Sequence, residues 1–207
     1  MPKYTLHYFD GRGRGEGIRL LFKIAGKEFE DKRYTFSDWP EYKPKTPFGQ
    51  LPVLTVDDVV IAQTHAIGRY LAREFNLYGS NSLEAAIVDQ VVENNSDLIT
   101  PSIPWLFGEK DEATKAELKA SYFETIGVQL NHLGKFLGDK DYFLGDKISY
   151  ADVVFFTGLE FIILKGEGTP EMLKALEEVP NLKKLYDRVA SYPAVAEWIK
   201  VRPQNSF

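Results

Sequence analysis

The arrangement of apolar residues along this 207-residue chain changes once, near residue 80. Before that point, short apolar runs alternate with helical patterns in the order strand, helix, strand, helix, strand, strand, helix. After a polar, glycine-containing stretch at residues 76–82, every periodicity is helical. The sequence therefore predicts an α/β domain over residues 1–79 and an all-α helical bundle over residues 82–207.

The first predicted strand runs directly into a turn that is rich in glycine. Tyr8 lies near the end of the strand, glycines stand at positions 11, 13, 15 and 17, and the apolar face of a helix begins at Ile18. A dinucleotide-binding loop would need glycine in place of Glu16, whose carboxylate would repel a pyrophosphate. Two interpretations are left. The glycines only permit positive φ in a tight turn, or the turn presents Tyr8 and Arg14 for chemistry.

The composition excludes several kinds of site. The chain has no cysteine, which removes disulfides, thiol nucleophiles and cysteine-ligated metals, so any sulfur chemistry must use a substrate's sulfur. The three histidines lie far apart without metal-ligand spacing, and no metal is expected. A net charge of −5 argues against nucleic acid as a partner. No apolar run reaches membrane-spanning length, and the start lacks a signal-peptide core, which favours a cytoplasmic protein.

The rest of the α/β domain carries clear local signals. Residues 27–34 predict a second strand, and two apolar runs around an acidic pair at 53–62 predict a hairpin. Pro52 at the head of the hairpin has no amide hydrogen to donate, and a cis bond between Leu51 and Pro52 would fit such a turn. Thr64 stands at or beside the start of the next helix, where a hydroxyl and unpaired amides favour a carboxylate.

Helix signals in the second half are equally local. A helix is predicted over residues 84–100, with a stripe of acidic residues along one face. Two prolines interrupt the chain after it, and another long helix is predicted over 114–137. Ser149 and Asp152 then fit a capping box with aspartate in place of the usual glutamate. This signal predicts the start of the central helix of the bundle.

A set of short motifs, taken in order and spacing, resembles the cytosolic glutathione transferases, most closely the sigma class that includes prostaglandin D synthases and cephalopod crystallins. The resemblance covers the whole chain. It implies a thioredoxin-like N-terminal domain, an all-helical C-terminal domain, and a homodimer with one glutathione per subunit. The matching motifs are Tyr8-Phe9 with Arg12-Gly13-Arg14, Asp38-Trp39-Pro40-Glu41, the segment from Pro47 to Leu54, Gln63-Thr64, the segment from Ser149 to Asp152, and Arg202-Pro203-Gln204.

The resemblance implies that Tyr8 donates a hydrogen bond to the glutathione sulfur, with Arg14 adding positive charge nearby. Lowering the pKa of a thiol from about 8.5 to about 6.5 takes roughly 2.7 kcal/mol in favour of the thiolate. One hydrogen bond to a charged group supplies on the order of 1.5–3 kcal/mol. Tyr8 therefore comes close to providing the whole shift by itself.

The resemblance also implies how the rest of glutathione is held. Trp39 and Lys43 would bind the glycyl carboxylate through an indole N–H and an ammonium group. The backbone of Leu51, beside a cis Pro52, would pair with the cysteinyl part, and Gln50 would lie alongside. Trp39 as a packing anchor and Lys43 as a solvated lysine are the plainer interpretations.

The γ-glutamyl end of glutathione is implied to lie at the start of a helix. Gln63 and Thr64 would bind it, and Asp97 of the partner subunit would reach its ammonium group. Thr64 stands where serine is usual in the family, which keeps the hydroxyl and adds a methyl group. For Asp97, membership of an ordinary polar helix face is the alternative.

Two further features follow from the resemblance. In prostaglandin D synthases, acidic residues at the dimer interface can bind a divalent cation, and the matching positions here are Glu93, Ser96 and Asp97. Because Ser96 has no carboxylate, the resemblance leaves open whether a cation binds there, and no metal is required for activity. A pocket for the second substrate is implied at Phe9, Arg14, Trp105, Gly158 and Phe207, and the small Gly158 predicts a wide pocket.

The leading functional hypothesis is conjugation of glutathione to small hydrophobic electrophiles. Glutathione-dependent isomerisation of prostaglandin H to prostaglandin D is the alternative within enzymes. A crystallin-like structural or ligand-carrying protein is the alternative outside them.

Overall fold

The computed structural model describes residues 2–163 and 169–203. These residues divide into two compact units, and each is described by itself. The first unit contains the described residues up to Tyr78 together with those from Tyr192 onwards, and the second contains the described residues of Gly79–Ser191. The last helix is grouped here with the first unit, whereas the sequence analysis placed it in the second domain. The domain limits 1–79 and 82–207 stay a prediction.

The first unit alternates strands and helices as the sequence predicts. A short 3-10 turn, Gly13–Gly15, precedes the first helix, and another, Lys43–Lys45, follows the second. The elements in chain order are β1 Tyr4–Phe9, α1 Glu16–Ile24, β2 Glu30–Tyr34, α2 Trp39–Tyr42, β3 Val53–Val56, β4 Val59–Ala62 and α3 Thr64–Glu74.

The four strands form one mixed sheet in the order β2-β1-β3-β4. β1 runs parallel to β2, with Tyr8 opposite Arg33, and antiparallel to β3, while β3 and β4 form the predicted hairpin. Helices α1 and α3 pack against each other. Both helices carry fully buried side chains of the core, among them Leu20, Leu21, Phe22, Ile67 and Leu71. This order of elements confirms the thioredoxin-like fold.

The predicted second strand is too long at its start. It was expected over 27–34, but β2 begins only at Glu30. The N–H of Lys27 donates to the carbonyl of Phe22, and the ring of Phe29 stacks on that of Phe22 with centroids 4.3 Å apart. These contacts tie residues 27–29 to the end of α1, so the chain cannot yet pair with β1.

The second unit is built from five α-helices in its described residues. Asn81 caps the first of these helices by accepting hydrogen bonds from the N–H groups of Leu83 and Glu84. The helices are α4 Ser82–Ile99, α5 Glu112–Leu137, α6 Tyr150–Ile163, α7 Thr169–Glu177 and α8 Pro180–Ala190. A 3-10 turn, Thr100–Ser102, and a π-helical turn, Pro104–Gly108, lie where two prolines were expected to interrupt the chain.

Helix α6 is the centre of the second unit, packed against α4, α7 and α8. It is buried along most of its length. The N–H of Ser149 donates to the carboxylate of Asp152, as in the predicted capping box, and the Ser149 hydroxyl donates to the same carboxylate. The N–H of Phe143 donates to the other carboxylate oxygen at 2.9 Å. Asp152 therefore ties the preceding loop to the start of α6.

The final helix, α9 Pro193–Val201, packs against α1 within the first unit. Over the ranges that the structure covers, no helix has both the length and the apolar character needed to cross a membrane.

Candidate active site

Tyr8 lies near the end of β1, and the glycine turn that follows closes tightly around its side chain. The backbone N–H of Arg14 donates to the Tyr8 hydroxyl oxygen at 2.9 Å. A Cβ atom on Gly13 would lie 2.6 Å from that oxygen, and one on Gly15 would lie 2.5 Å from Cδ1 of the ring. Gly13 also has a positive φ of 36°. Glycine therefore provides positive φ, as the first interpretation of the turn expects, and room for the phenol. That the turn presents Tyr8 and Arg14 for chemistry stays a prediction.

Burial keeps the phenol of Tyr8 protonated. It raises the pKa of Tyr8 above its ordinary value of 10.0, against the opposite effects of the Arg14 N–H and the Arg14 and Arg19 charges. The hydroxyl is therefore neutral at physiological pH and can donate a hydrogen bond. Because its oxygen already accepts from Arg14, the proton is directed to another acceptor.

Several predicted site residues line one small pocket in the first unit. Phe48, which the sequence analysis did not single out, also lines it and has 66% of its surface exposed. Its position within the motif from Pro47 to Leu54, two residues before Gln50, was the signal available for it. The pocket is lined by Arg14, Phe48, Gln50, Leu51, Pro52, Ala62, Gln63 and Thr64.

Two backbone features shape this pocket. The bond between Leu51 and Pro52 is cis, as predicted. Gln63 caps α3 with φ 75° and ψ 121°, outside the regions that a non-glycine residue ordinarily adopts, and Thr64 is the first residue of α3. Strained positions of this kind cluster at ligand-binding sites. The beginning of α3 is therefore a candidate position for ligand binding.

Helix α2 is held against the sheet by aromatic rings. Tyr42 stacks on His7 and on Tyr34, with ring centroids 5.2 Å and 4.3 Å away. Trp39 packs edge-on against Phe9 at 5.4 Å and is half-buried. These contacts give Trp39 a packing role, and its indole N–H is a separate feature that a ligand can use.

Lys43 lies directly after α2, and its side chain is exposed. It forms no salt bridge with residues in the ranges 2–163 and 169–203. An ammonium group in this position is available to an anion.

Asp97 and Trp105, which were also predicted as site residues, belong to the second unit. Asp97 is exposed on α4. Trp105 is fully buried beside Tyr122 and Phe123, and its indole N–H has no hydrogen-bond partner among the described residues. Phe207 lies outside the described residues.

Gly158 is buried in α6, where the sequence analysis expected it to widen a pocket. A Cβ atom on Gly158 would lie 2.2 Å from Oδ1 of Asn95 on α4. A side chain at position 158 would therefore require the Asn95 side chain to move. Its role in a substrate pocket stays a prediction.

Helix α1 also carries a buried charged pair that was not predicted from the sequence. Arg19 is fully buried, and the side chain of Glu16 is 4% exposed, with 3.4 Å between the two groups. A charged residue directly between Ile18 and Leu20, on the apolar face of α1, was the signal available. Within the described ranges, no group of three or more acidic or histidine side chains is placed to hold a metal ion.

Comparisons with known proteins agree with this geometry. Two family models match the chain, the glutathione S-transferase N-terminal domain over residues 4–73 and the C-terminal domain over residues 96–202. Relatives that match over 100% of both chains include glutathione S-transferase 1 of Ascaris suum at 39% identity, hematopoietic prostaglandin D synthase of Gallus gallus at 38%, and S-crystallin SL11 of Nototodarus sloanii at 37%.

A solved structure supports the same assignment. The crystal structure of the glutathione S-transferase from Ascaris lumbricoides superimposes with a TM-score of 0.86 at 36% identity, and 100% of each chain is covered. The matches span both halves of the sequence and the whole fold. The chain therefore belongs to the glutathione S-transferase family and is a glutathione transferase, an enzyme whose substrate is glutathione.

Proposed function

We propose that this sigma-class enzyme activates glutathione at Tyr8 and joins its sulfur to a small hydrophobic electrophile. The hydrogen bond from the Arg14 N–H to the Tyr8 hydroxyl carries the proposal. It occupies one acceptor position of the phenol oxygen, and burial keeps the phenol protonated. The hydroxyl is thereby prepared to donate to a thiolate.

The reaction needs little beyond this donor. The thiol of glutathione loses its proton to solvent, and the Tyr8 O–H stabilises the thiolate, as the positive charge of Arg14 also does. The sulfur lone pair then forms a bond to the electrophilic carbon, and the leaving group departs with its electron pair. The product is a thioether.

Binding of glutathione is assigned to the pocket and to α2. Trp39 and Lys43 hold the glycyl carboxylate, which is consistent with the exposed ammonium group of Lys43. Leu51 pairs its backbone with the cysteinyl part beside the cis Pro52, and Gln50 lies alongside.

The γ-glutamyl group binds where α3 begins. Gln63 and Thr64 line the pocket there, and the unusual backbone of Gln63 supports a ligand contact. Asp97 of the partner subunit completes the site in a homodimer. Its exposure on α4 is consistent with a role in binding.

The second substrate is assigned to Phe9, Arg14, Trp105, Gly158 and Phe207. Phe9 is half-buried and Arg14 is exposed. Phe9 offers an apolar surface to the second substrate, and Arg14 offers a positive charge near the sulfur. Reaction is proposed to take place in the cytoplasm, as in the cytosolic class that the motifs resemble, and without a metal ion.

Substitution of Tyr8 by phenylalanine tests the proposal. We expect Tyr8→Phe to lower kcat/KM with an aryl halide by about tenfold to a hundredfold, the value of one hydrogen bond to a charged group. Glutathione binding, measured by calorimetry, should stay within about twofold because the other contacts persist. Tyr192→Phe is the matched control, since its hydroxyl has no hydrogen bond within the described residues. Unchanged turnover in Tyr8→Phe would contradict the proposal.

Prostaglandin isomerisation is a second candidate, because a relative at 38% identity is named hematopoietic prostaglandin D synthase. Product analysis after incubation with prostaglandin H and glutathione tests it. Formation of prostaglandin D above the uncatalysed level supports it, and nonspecific breakdown products alone would exclude it.

A ligand-carrying role is the third candidate, suggested by the relative named S-crystallin SL11 at 37% identity. It predicts glutathione binding without conjugation of any aryl halide. The prepared hydroxyl of Tyr8 favours catalysis over this role.

Sedimentation tests the dimer, and a monomer that still binds glutathione tightly would contradict the role of Asp97.

A further inference from the structure

The guanidinium group of Arg19 holds the backbone between β1 and the glycine turn. Arg19 is fully buried on α1. Its Nη1 donates to the carbonyl oxygen of Gly11 at 2.6 Å and reaches that of Arg12 at 3.5 Å. Its Nη2 donates to the carbonyl of Phe9 at 3.4 Å. One side chain therefore binds three carbonyl groups of the segment 9–12.

This segment decides where the Arg14 amide lies. Residues 9–12 connect the strand that carries Tyr8 to the turn that carries Arg14, and only the N–H of Arg14 reaches the phenol oxygen in the contacts described. The guanidinium carbon of Arg19 also lies 5.7 Å from the centre of the Tyr8 ring. Arg19 thus supports both partners of the Tyr8–Arg14 hydrogen bond without touching the hydroxyl.

Two carboxylates contact the buried guanidinium group of Arg19, and one of them, Asp31, also pairs with Arg33 at 2.7 Å. Its Nε lies 3.1 Å and 3.2 Å from the two carboxylate oxygens of Asp31, and its Nη1 lies 3.4 Å from Oε2 of Glu16. The planar guanidinium fork can contact both acids and the three carbonyls at once, which an ammonium group cannot do. Arginine is therefore needed here for geometry as well as for charge.

Glu16 extends this arrangement to the final helix. Its second oxygen, Oε1, accepts from the indole N–H of Trp198 at 3.0 Å and from Nη1 of Arg202 at 2.8 Å. Trp198 belongs to α9, and Arg202 follows it directly. A continuous chain of contacts therefore runs from α9 through Glu16 and Arg19 to the segment 9–12.

We propose that Arg19 is a positioning residue for the Tyr8–Arg14 pair, and that Glu16 links it to α9, so that α9 influences how well Tyr8 stabilises the thiolate. This inference rests on the proposed role of Tyr8. It gives the last helix of the first unit a part in catalysis although that helix supplies no residue to the pocket lined by Arg14, Gln50 and Gln63.

Arg19→Lys tests the inference, because lysine keeps the positive charge beside Glu16 and Asp31 and loses the fork. We expect the pKa of bound glutathione thiol, read from thiolate absorbance, to rise by about one unit. kcat/KM at low pH should fall about tenfold, while KM for glutathione changes less than about twofold. Trp198→Phe keeps an aromatic ring, although a smaller one, and removes the N–H that donates to Glu16. It should shift the thiol pKa in the same direction by about a third as much.

A matched control removes similar bonds elsewhere. The side chain of Asn181 donates to the carbonyls of Gly134 and Gly138 in the second unit, at 2.7 Å and 2.9 Å. Asn181→Ala should lower the melting temperature without moving the thiol pKa. Should Arg19→Lys not fold, Trp198→Phe and Arg202→Lys provide the same readout.

The Tyr8→Phe background separates this inference from the proposed function. If Tyr8→Phe alone leaves the thiol pKa unchanged, the proposed role of Tyr8 is wrong. If that substitution raises the pKa and Arg19→Lys adds nothing further to it, Arg19 acts through Tyr8, as proposed. A full additional shift in the double variant, or no shift in Arg19→Lys alone, would overturn the positioning role. A shift in Arg19→Lys with none in Trp198→Phe would overturn the link to α9.

Discussion

The backbone N–H of Arg14 donates to the hydroxyl oxygen of Tyr8 across 2.9 Å, although the two residues belong to different elements. Tyr8 lies near the end of strand β1, while Arg14 is an exposed residue of the turn that follows. A backbone donor cannot be lost by rotation of a side chain, so the phenol keeps its orientation as long as the turn keeps its shape. The shape of the turn therefore sets the orientation in which the Tyr8 hydroxyl donates its hydrogen bond.

This relationship predicts the pH dependence of the reaction. Since the pKa of Tyr8 is raised above 10.0, the phenol keeps its proton throughout the range in which the thiol ionises. We expect kcat/KM, corrected for the uncatalysed reaction, to rise with one thiol ionisation and then stay level to about pH 9. In Tyr8→Phe the rise should move to higher pH by about one to two units. A decline of wild-type activity between about pH 8 and pH 9 would contradict a protonated donor.

Gly15→Ala should disable the same donor from the other side. The added Cβ would lie 2.5 Å from Cδ1 and 2.8 Å from Cγ of Tyr8, so the ring or the turn must move. We expect kcat/KM to fall by about a hundredfold, as misplacement by about 1 Å can cause. Gly127→Ala, on α5, is the control, because a Cβ atom there would meet no other atom within 4 Å. It should stabilise the protein by about 1 kcal/mol and leave activity unchanged.

Much of this site could be predicted because its signals are local. The strand, the glycines and the hairpin are each encoded within about ten residues, and the periodicity of apolar side chains is the strongest such signal. Pro52 and Thr64 stand at element boundaries that the sequence marks directly. The structure accordingly confirms the elements that carry the predicted pocket.

What could not be predicted depends on contacts between distant segments. The sequence shows Arg19 on an apolar helix face, but its acceptors come from residues 9–12 and from Asp31 on β2. Gly158 was expected to widen a pocket because glycine is small. The sequence could not show that Gly158 faces Asn95, which lies on another helix. Intrinsic propensity also could not show that residues 27–29 would pack on α1 instead of joining β2.

Gly158→Ala separates a packing role from a role in the substrate pocket. The added Cβ would lie 2.2 Å from Oδ1 and 2.9 Å from Cγ of Asn95, which overpacks the contact between α4 and α6. We expect the free energy of unfolding in urea to fall by about 1–3 kcal/mol. Asn95→Ala in the same protein should restore part of that loss, since it removes the atoms that clash. A changed KM for the electrophile with unchanged stability would instead place Gly158 in the pocket.

Asp152 makes the stability of the second unit depend on pH. Burial raises the pKa of its carboxyl from 3.8 to about 6, although the Ser149 hydroxyl and the N–H groups of Phe143 and Ser149 act in the opposite direction. The folded state therefore binds a proton more readily than the unfolded state. By linkage, this contribution to stability is fully present below about pH 4 and is lost as the pH rises through about 6. The change amounts to on the order of 3 kcal/mol.

Asp152→Asn cannot titrate, so it reveals this contribution by difference. We expect the stability of the wild type relative to Asp152→Asn, from urea unfolding, to decrease steadily between about pH 4 and pH 7. Ser149→Ala removes a hydrogen bond that lowers the Asp152 pKa, so the decrease should move to higher pH. A difference that grows with pH would mean that the three donors outweigh burial. Asp152 would then start α6 as a charged cap rather than as a buried, protonated one.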